Sequence, residues 1–135
     1  MSTLFLDSDI LLDATLKRPE FILPALNIIS LVQKRQFKAV TSSVAFVNVH
    51  YFLDKYDKVN KFKLLKELRG ILSIVNVGEE IIDKALKSGT NDFEDAVQYY
   101  TAKSAGVNTI ITRNIKNYKD STIQVLTPEQ FLKTL

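Results

Sequence analysis

The sequence predicts an α/β fold in which a parallel sheet is covered by helices on both faces. Short apolar runs alternate with longer amphipathic stretches along all 135 residues, and no repeat or low-complexity linker interrupts this alternation. Strands separated by helices are typical of parallel sheets, because a parallel connection has to cross the sheet. The length suits one domain with its own hydrophobic core. We therefore expect a single three-layer domain over residues 1–135.

The predicted strands are the short runs rich in branched and aromatic apolar residues. They are residues 3–6, 37–41, 72–77, 109–112 and 124–126. The stretches between them have helical periodicity and predict helices over residues 8–16, 21–34, 42–55, 58–72, 79–87 and 92–105. Ser42 or Ser43 suits the N-cap of the third helix, and Pro128 suits the first position of a last helix.

Composition limits the kinds of site that this fold can carry. The chain has no cysteine and one histidine, which excludes disulfides, thiolate metal sites and a multi-histidine zinc centre. A metal would therefore be held mainly by oxygen, which favours Mg²⁺ or Mn²⁺. The 18 Lys and Arg residues against 15 Asp and Glu give a mildly basic balance, which permits a nucleic-acid partner without indicating one.

The hydrophobic runs predict a protein without a membrane segment. No apolar run approaches membrane-spanning length, and Asp7 and Asp9 interrupt the region where a signal peptide needs an apolar core. The lack of cysteine is compatible with a reducing compartment. We therefore expect a cytoplasmic location.

Two aspartates at the start of the helix predicted over residues 92–105 are the most informative pair in the chain. Asp92 and Asp95 share one side of the helical wheel, whereas Glu94 points the other way. Asp92 could cap the helix, with Asp95 favoured by the positive end of the helix dipole. Alternatively, both carboxylates could bind a metal. The two roles are not exclusive.

Polar side chains also stand at the ends of two predicted strands. Asp7 directly follows the strand at residues 3–6, and the fourth strand ends in Thr112, Arg113 and Asn114. Ligands of open parallel sheets bind outside the carboxyl ends of the strands. Asp7 could be the N-cap of the following helix or part of a site. Arg113 could contact a phosphate or form a structural salt bridge.

Asn48 interrupts an apolar stripe on the third predicted helix. That stripe consists of Val44, Val47, Tyr51 and Phe52. Because a buried amide needs a hydrogen-bond partner, Asn48 is either a core amide or part of the rim of a polar pocket. A second apolar stripe consists of Phe46, Val49 and Leu53. A helix that is apolar nearly all round is either deeply buried or half of an oligomer interface.

Together these residues resemble the PIN-domain family of ribonucleases, which includes the VapC toxins of bacterial and archaeal toxin–antitoxin pairs. The resemblance covers nearly the whole chain, in the segments LFLDSDILLDATLKRP, TSSVAFVNVHYFL, NDFEDAVQYYTAKSAGVNTIITRNIKNY and VLTPEQFL. It implies a five-stranded parallel sheet of order 3-2-1-4-5, in which the first and fourth strands are neighbours. It also implies an acidic cluster that holds one or two Mg²⁺ or Mn²⁺ ions and cleaves RNA.

The resemblance also assigns roles to individual residues. By residue match, the metal-holding acids are Asp7, Asp92 and Asp95, and the residues lining the end of the fourth strand are Thr112 and Asn114. The chain departs from the family at Asn48, where many PIN nucleases have a glutamate. Three carboxylates suffice for one divalent ion, and Asn48 can only hydrogen-bond to a water on it. The family further implies an RNA substrate, a cognate antitoxin and a homodimer.

The leading hypothesis is therefore a metal-dependent endoribonuclease. In it, Asp7, Asp92 and Asp95 bind Mg²⁺, and the ion activates a water for attack on the phosphate. The residues that orient this water or the metal ligands would be Asn48, Thr112 and Asn114.

Two alternatives stand beside this hypothesis. One is a haloacid-dehalogenase-like phosphatase with Asp7 as nucleophile and Asp9 as acid, although Ile10 stands where that family has a glycine. The other is a catalytically weak or inactive PIN module that binds RNA or a partner protein, an alternative suggested by the amide at Asn48.

Overall fold

The computed structural model describes residues 1–118 and 121–135, and its strands form one parallel sheet. The strands are β1 (Thr3–Leu6), β2 (Lys38–Ser42), β3 (Ser73–Val75), β4 (Thr109–Ile111) and β5 (Gln124–Leu126). Their order is β3-β2-β1-β4-β5, and each pair of neighbours is parallel. The central strand is β1, in which Phe5 lies opposite Val40 of β2 and Ile110 of β4. The predicted fold class and strand order are confirmed.

Helices connect the strands and cover the sheet. They are α1 (Ser8–Thr15), α2 (Ile22–Gln33), α3 (Ser43–Tyr56), α4 (Lys61–Ile71), α5 (Glu79–Lys87), α6 (Phe93–Ser104) and α7 (Pro128–Lys133). A 3₁₀ helix at Ile115–Tyr118, which follows β4, was not predicted. Within the described ranges, none of the helices is long and apolar enough to cross a membrane.

Two boundaries differ by more than one residue from the predicted ones, because local hydrogen bonds replace regular structure there. The chain turns at Asp57, whose carbonyl accepts from the backbone N–H of Asn60 at 3.3 Å, so α4 begins only at Lys61. β3 ends at Val75, because the backbone N–H of Val77 is donated to Ser43 Oγ at 3.2 Å instead of to a strand.

The side chains of β1 alternate between two hydrophobic layers. Leu4 and Leu6 pack in the layer that contains α1, α2, α3, α4 and α7. Phe5 packs in the opposite layer with Ala102 of α6 and Ile110 of β4. All three β1 side chains are fully buried. A strand covered on both faces needs apolar residues at successive positions, which explains the unbroken run Leu4 to Leu6.

The apolar stripes of α3 have different surroundings. Val49 and Leu53 are fully buried, whereas Val47 and Tyr51 are 65% and 64% exposed. Asn48 is half-buried beside the exposed stripe. The interpretation of Asn48 as a core amide is therefore wrong, and the residue stands at the rim of a polar region. α3 has one buried face and one open apolar face.

Candidate active site

Asp7 lies at the carboxyl end of the central strand and carries two roles at once. Its side-chain Oδ1 caps α1 by accepting from the backbone N–H of Ser8 at 2.8 Å. Its Oδ2 accepts from Thr112 Oγ1 at 3.0 Å and from the Tyr118 hydroxyl at 3.1 Å. The capping interpretation is confirmed, and the carboxylate also faces the end of β4, as predicted from the strand ends.

Burial makes ionisation of the Asp7 carboxyl unfavourable. Asp7 is 7% exposed, and burial raises the pKa of its carboxyl above its usual value, with the charge of Asp92 adding to the effect. The hydrogen bonds from Ser8, Thr112 and Tyr118 act in the opposite direction. All three are neutral donors, so they stabilise the anion without cancelling its charge.

Tyr118 is a site residue that the sequence did not predict. The 3₁₀ helix after β4 buries its ring against Phe5 and Val107, and its hydroxyl reaches Asp7. Burial and the neighbouring negative charge of Asp7 raise the pKa of the phenol far above its usual range. Tyr118 therefore remains a protonated donor at every physiological pH.

The acidic start of α6 lies against the same edge of the sheet. Asp92 is the N-cap of α6, with Oδ1 accepting from the backbone N–H of Asp95 at 3.0 Å. Asp95 Oδ2 is buried and accepts no hydrogen bond from the described residues. Burial, followed by the charges of Asp92 and Asp7, raises the pKa of Asp95 to about 7. Capping by Asp92 is confirmed, and the pair still faces Asp7.

Glu94, which the helical wheel predicts to point away from Asp92 and Asp95, makes its contact with α3. Its Oε1 accepts from Asn48 Nδ2 of α3 at 2.8 Å. Burial, then the charges of Asp7 and Asp92, raise the pKa of Glu94.

Asp9 is a further acid at the edge. Its Oδ2 accepts from the backbone N–H of Arg113 at 3.0 Å, and its buried Oδ1 has no hydrogen-bond partner in the described part of the chain. Burial and the charge of Asp7 raise the pKa of Asp9 to about 6. The spacing Asp7-x-Asp9 after a strand was visible in the sequence, but it does not show which of the two would face the sheet end.

Thr112 and Asn114 contribute differently from each other. Thr112 is fully buried, donates to Asp7 and accepts from the backbone N–H of Asn114 at 3.2 Å. The Asn114 side chain is exposed and lines a separate cleft beside Phe21 and Glu129. The structure therefore brings Thr112 to the acids and leaves Asn114 to support Thr112 through its backbone.

Arg113 forms a structural salt bridge, one of its two predicted roles. Its Nε and Nη2 donate to the two carboxylate oxygens of Asp13 at 2.7 and 3.1 Å. The guanidinium carbon lies 3.9 Å from the centre of the Phe21 ring. Such a bidentate, stacked arginine is fixed on both sides, so it is not free to contact a phosphate.

We name the five carboxylates at this edge, Asp7, Asp9, Asp92, Glu94 and Asp95, the acidic edge. Within residues 1–118 and 121–135 they do not form a ready metal-binding group of three or more ligands. Their chemistry nevertheless fits a hard divalent cation. All donors are oxygen and two buried oxygens lack partners. Burial, with a further contribution from the neighbouring negative charges, raises the pKa of several members. To hold such an ion together, Asp7, Asp92 and Asp95 would have to rearrange their side chains or bind it through water.

A cleft of about 650 Å³ opens beside the acidic edge. Asp92 and Asp95 stand on its wall, together with aromatic and basic residues farther along α6 and in the 3₁₀ helix. These are Tyr99, Tyr100, Lys103, Lys116 and Tyr118. The cleft therefore joins an acidic end to a surface of rings and lysines.

Comparison with known proteins gives a consistent result. A sequence model of the PIN domain matches residues 3–116. Ribonuclease VapC1 of Aquifex aeolicus (strain VF5) is 30% identical over 132 residues, which cover 94% of this chain and 91% of the relative.

Solved structures share the fold at lower sequence identity. The chain resembles VapBC2 from Rickettsia felis, bound to a promoter DNA fragment, with a TM-score of 0.70, 19% identity and coverage of 93% of this chain and 98% of that one. A toxin–antitoxin complex from Klebsiella pneumoniae matches with a TM-score of 0.69, 22% identity and coverage of 94% and 98%. PAE2754 from Pyrobaculum aerophilum matches with a TM-score of 0.68, 16% identity and coverage of 98% and 88%.

Proposed function

The chain belongs to the PIN-domain family, and we propose that it is a metal-dependent endoribonuclease, the toxin of a VapBC-type toxin–antitoxin pair. The observation that carries the proposal is the acidic edge, whose five carboxylates form no ion pair with any described residue. A protein seldom gathers uncompensated acids unless a cation joins them. The 30% identical relative, itself named a ribonuclease, supports the same reaction for this chain.

Each residue of the site has a separate task in this reaction. When bound, Mg²⁺ or Mn²⁺ would neutralise phosphate charge and lower the pKa of the attacking water. Asp7, Asp92 and Asp95 would hold the ion, and the unpartnered Asp95 Oδ2 is the oxygen most ready to do so. Thr112 and Tyr118 are positioning residues, because they hold Asp7 by hydrogen bonds to the same oxygen.

The cleft beside the acidic edge suits a single strand of RNA. Tyr99 and Tyr100 offer ring faces on which bases can stack, and Lys103 and Lys116 can neutralise backbone phosphates. Asp92 and Asp95 line the same cleft, so a strand bound there would contact these two acids. The substrate class we propose is therefore single-stranded or unpaired RNA.

The proposed partners follow from the relatives and from the surface. Two of the similar solved structures are toxin–antitoxin assemblies, which supports a cognate antitoxin for this chain. The open apolar face of α3, with Val47 and Tyr51, supports association as a homodimer. An RNA substrate and a protein antitoxin would place the protein in the cytoplasm.

Of the two alternative functions, one is excluded by the family match and the other can be tested by experiment. The haloacid-dehalogenase-like phosphatase is set aside by the family match over residues 3–116. An inactive PIN module predicts RNA binding that neither needs nor responds to a divalent ion, which the following experiment separates from catalysis.

The test is cleavage of a labelled single-stranded RNA by purified protein with Mg²⁺ or Mn²⁺. We expect Asp95→Asn to reduce the rate by at least about 100-fold, because it removes a metal-binding charge. The matched control is Asp83→Asn, an exposed aspartate of α5, which should cleave at the wild-type rate. Cleavage that survives both chelation of metal and Asp95→Asn would contradict the proposed function.

A further inference from the structure

We propose that the separate cleft lined by Asn114 is a pocket for one base of the RNA substrate, close to the phosphate that is cut. This inference rests on the proposed function and deepens it, because it adds a second place where the protein recognises the RNA. It also gives a role to the exposed Asn114 side chain, which the acidic edge does not use. We name this cleft the Asn114 pocket.

The Asn114 pocket lies where four parts of the fold meet. Its walls come from the end of α1, the start of α2, the segment after β4 and the start of α7. Its volume of about 350 Å³ is at the small end of the range of ligand pockets in proteins. The pocket therefore suits a single ring system rather than a folded element of a partner.

Hydrogen bonds connect both cavities of this edge to Asp7. Its Oδ2 accepts from the hydroxyl of Tyr118, which lines the cleft beside the acidic edge, at 3.1 Å. The same oxygen accepts from Thr112 Oγ1 at 3.0 Å, and this hydroxyl accepts from the backbone N–H of Asn114 at 3.2 Å. The cleft is built on α6 and the pocket on α1, α2 and α7, which cover opposite faces of the sheet. An RNA strand with a phosphate near Asp7 would therefore find a cavity on either side.

The charges of the Asn114 pocket favour a neutral ring over a phosphate. Arg113 in its wall is already paired with Asp13 through two hydrogen bonds. Glu129 adds an exposed negative charge to the same wall. These groups together carry a net negative charge, which repels a phosphate and leaves a neutral base unaffected.

The remaining surfaces of the pocket can recognise a base. Phe21, Pro24 and Pro128 provide apolar walls against which a flat ring can pack. The Asn114 amide makes no hydrogen bond to the described residues, so its donor and its acceptor are both available. RNA-binding proteins recognise unpaired bases by packing against such surfaces and by hydrogen bonds to the base edge.

A side chain of a partner protein is the competing occupant, since it could use the same apolar walls. The position of the pocket favours the base. The proposed substrate has to reach Asp7, and Asn114 is joined to Asp7 through the single hydroxyl of Thr112. Removal of a base from the RNA separates the two occupants, because it leaves the phosphate backbone unchanged.

The test uses a labelled single-stranded RNA whose cleavage site has been mapped with the wild-type protein and Mn²⁺. We expect an abasic nucleotide at one position beside the cleaved bond to lower kcat/KM by at least about 10-fold. Asn114→Ala should lower kcat/KM for the complete RNA by about 5-fold, because one contact to the base is lost. The two losses should not add, since both remove the same interaction.

The matched control is Asn27→Ala, an exposed asparagine of α2 outside the pocket. It should cleave the complete RNA at the wild-type rate and keep the full effect of base removal. Equal effects of Asn27→Ala and Asn114→Ala would overturn the assignment of the amide to the base.

A phenyl ring in place of the base provides a second readout, because it keeps a packing surface and lacks hydrogen-bonding groups. With the wild type, kcat/KM for the phenyl RNA should lie between the values for the abasic and the complete RNA. With Asn114→Ala, the phenyl and the complete RNA should be cleaved at similar rates. A purely structural role of Asn114 would instead slow all three RNAs by the same factor.

The outcomes separate this inference from the proposed function. If Asn114→Ala slows the three RNAs equally, Asn114 only supports Thr112, and the inference fails while RNA cleavage stands. If it slows none of them, the pocket takes a protein side chain or no ligand, and the inference again fails alone. If the wild-type protein cleaves no RNA, the proposed function fails and the inference fails with it.

Discussion

Asp7 and Asp13 are both buried aspartates of the segment that forms β1 and α1, yet the protein surrounds them in opposite ways. Asp13 is 1% exposed and receives two hydrogen bonds from Arg113, at 2.7 and 3.1 Å, and one contact from Arg18 at 3.3 Å. Asp7 is 7% exposed and receives bonds only from neutral donors among the described residues. Its nearest charges are other acids.

The difference separates an acid neutralised inside the fold from the acids to which the proposed function assigns the metal. Where a carboxylate holds the fold together, the chain supplies the cation itself and stacks it on Phe21. At the acidic edge the chain supplies hydrogen bonds that orient the acids and leaves their charge in place. A proton or a bound cation can neutralise these acids, and the proposed function assigns this role to a divalent ion.

The largest expected effect is the loss of stability when the buried Asp13 loses its arginine partner. Arg113→Ala would leave Asp13 buried with only the peripheral Arg18, and we expect a loss of about 3 kcal/mol or more in the free energy of unfolding. The measurement is urea denaturation at neutral pH. Arg18→Ala is the control, since Arg18 makes one long contact from a partly exposed position, and it should lose about 1 kcal/mol or less. Equal losses for both arginines would contradict the comparison.

The acidic edge should instead make the stability of the metal-free protein depend on pH. The pKa values of Asp95 and Asp9 are about 7 and about 6 in the folded protein, above the ordinary value of 3.8. The unfolded chain therefore ionises first, so these acids contribute stability below pH 3.8 that is lost as pH rises towards about 7. The melting temperature of the metal-free protein, measured across this pH range, should therefore decrease as the pH rises.

A substitution and the addition of a metal ion should each reduce this loss of stability at higher pH. Asp95→Asn takes away the group that titrates highest, so its melting temperature should exceed that of the wild type most clearly above pH 7. Saturating Mn²⁺ should raise the wild-type melting temperature in the same range, since the ion binds the deprotonated acids. If the melting temperatures of the wild type and of Asp95→Asn depend on pH in the same way, ionisation of Asp95 does not destabilise the fold.

The smallest expected effect concerns a neutral donor of Asp7. Tyr118→Phe removes one of two hydrogen bonds to Asp7 Oδ2 and keeps the buried ring, so we expect a loss of about 1 kcal/mol in the free energy of unfolding. Tyr56→Phe is a suitable control, because Tyr56 is 62% exposed, and it should leave stability unchanged. A loss as large as that of Arg113→Ala would mean that neutral donors hold Asp7 as firmly as a cation holds Asp13.

The fold was predictable from the sequence because burial leaves local patterns. Strands covered on both faces need unbroken buried runs, as in Leu4 to Leu6 and Thr109 to Ile111, and the helices between them keep their own periodicity. The 3₁₀ helix at Ile115–Tyr118 was missed because its first three residues are exposed. It depends on Tyr118, which packs against Phe5 more than 100 residues earlier, a contact that no local pattern encodes.

The site was predictable only in part, for related reasons. Asp7 and Asp92 follow from strand ends and helix starts, which are local features. The orientation of Glu94 depends on Asn48 from another helix, and the wheel cannot include such a partner. The choice between a phosphate contact and a salt bridge for Arg113 likewise depended on where α1 places Asp13.

The bond between Thr112 and Asp7 joins residues 105 positions apart, and it has a consequence for the order of events in synthesis. β1 is made before both of its neighbours, and β4 follows only after β2, β3 and six helices have been made. Contacts between distant parts of a chain form late and slowly. The proposed RNA cleavage would therefore begin only after β4 has left the ribosome and paired with β1. Stalled nascent chains that end before Thr109 should accordingly lack activity, although Asp7, Asp92 and Asp95 are already present.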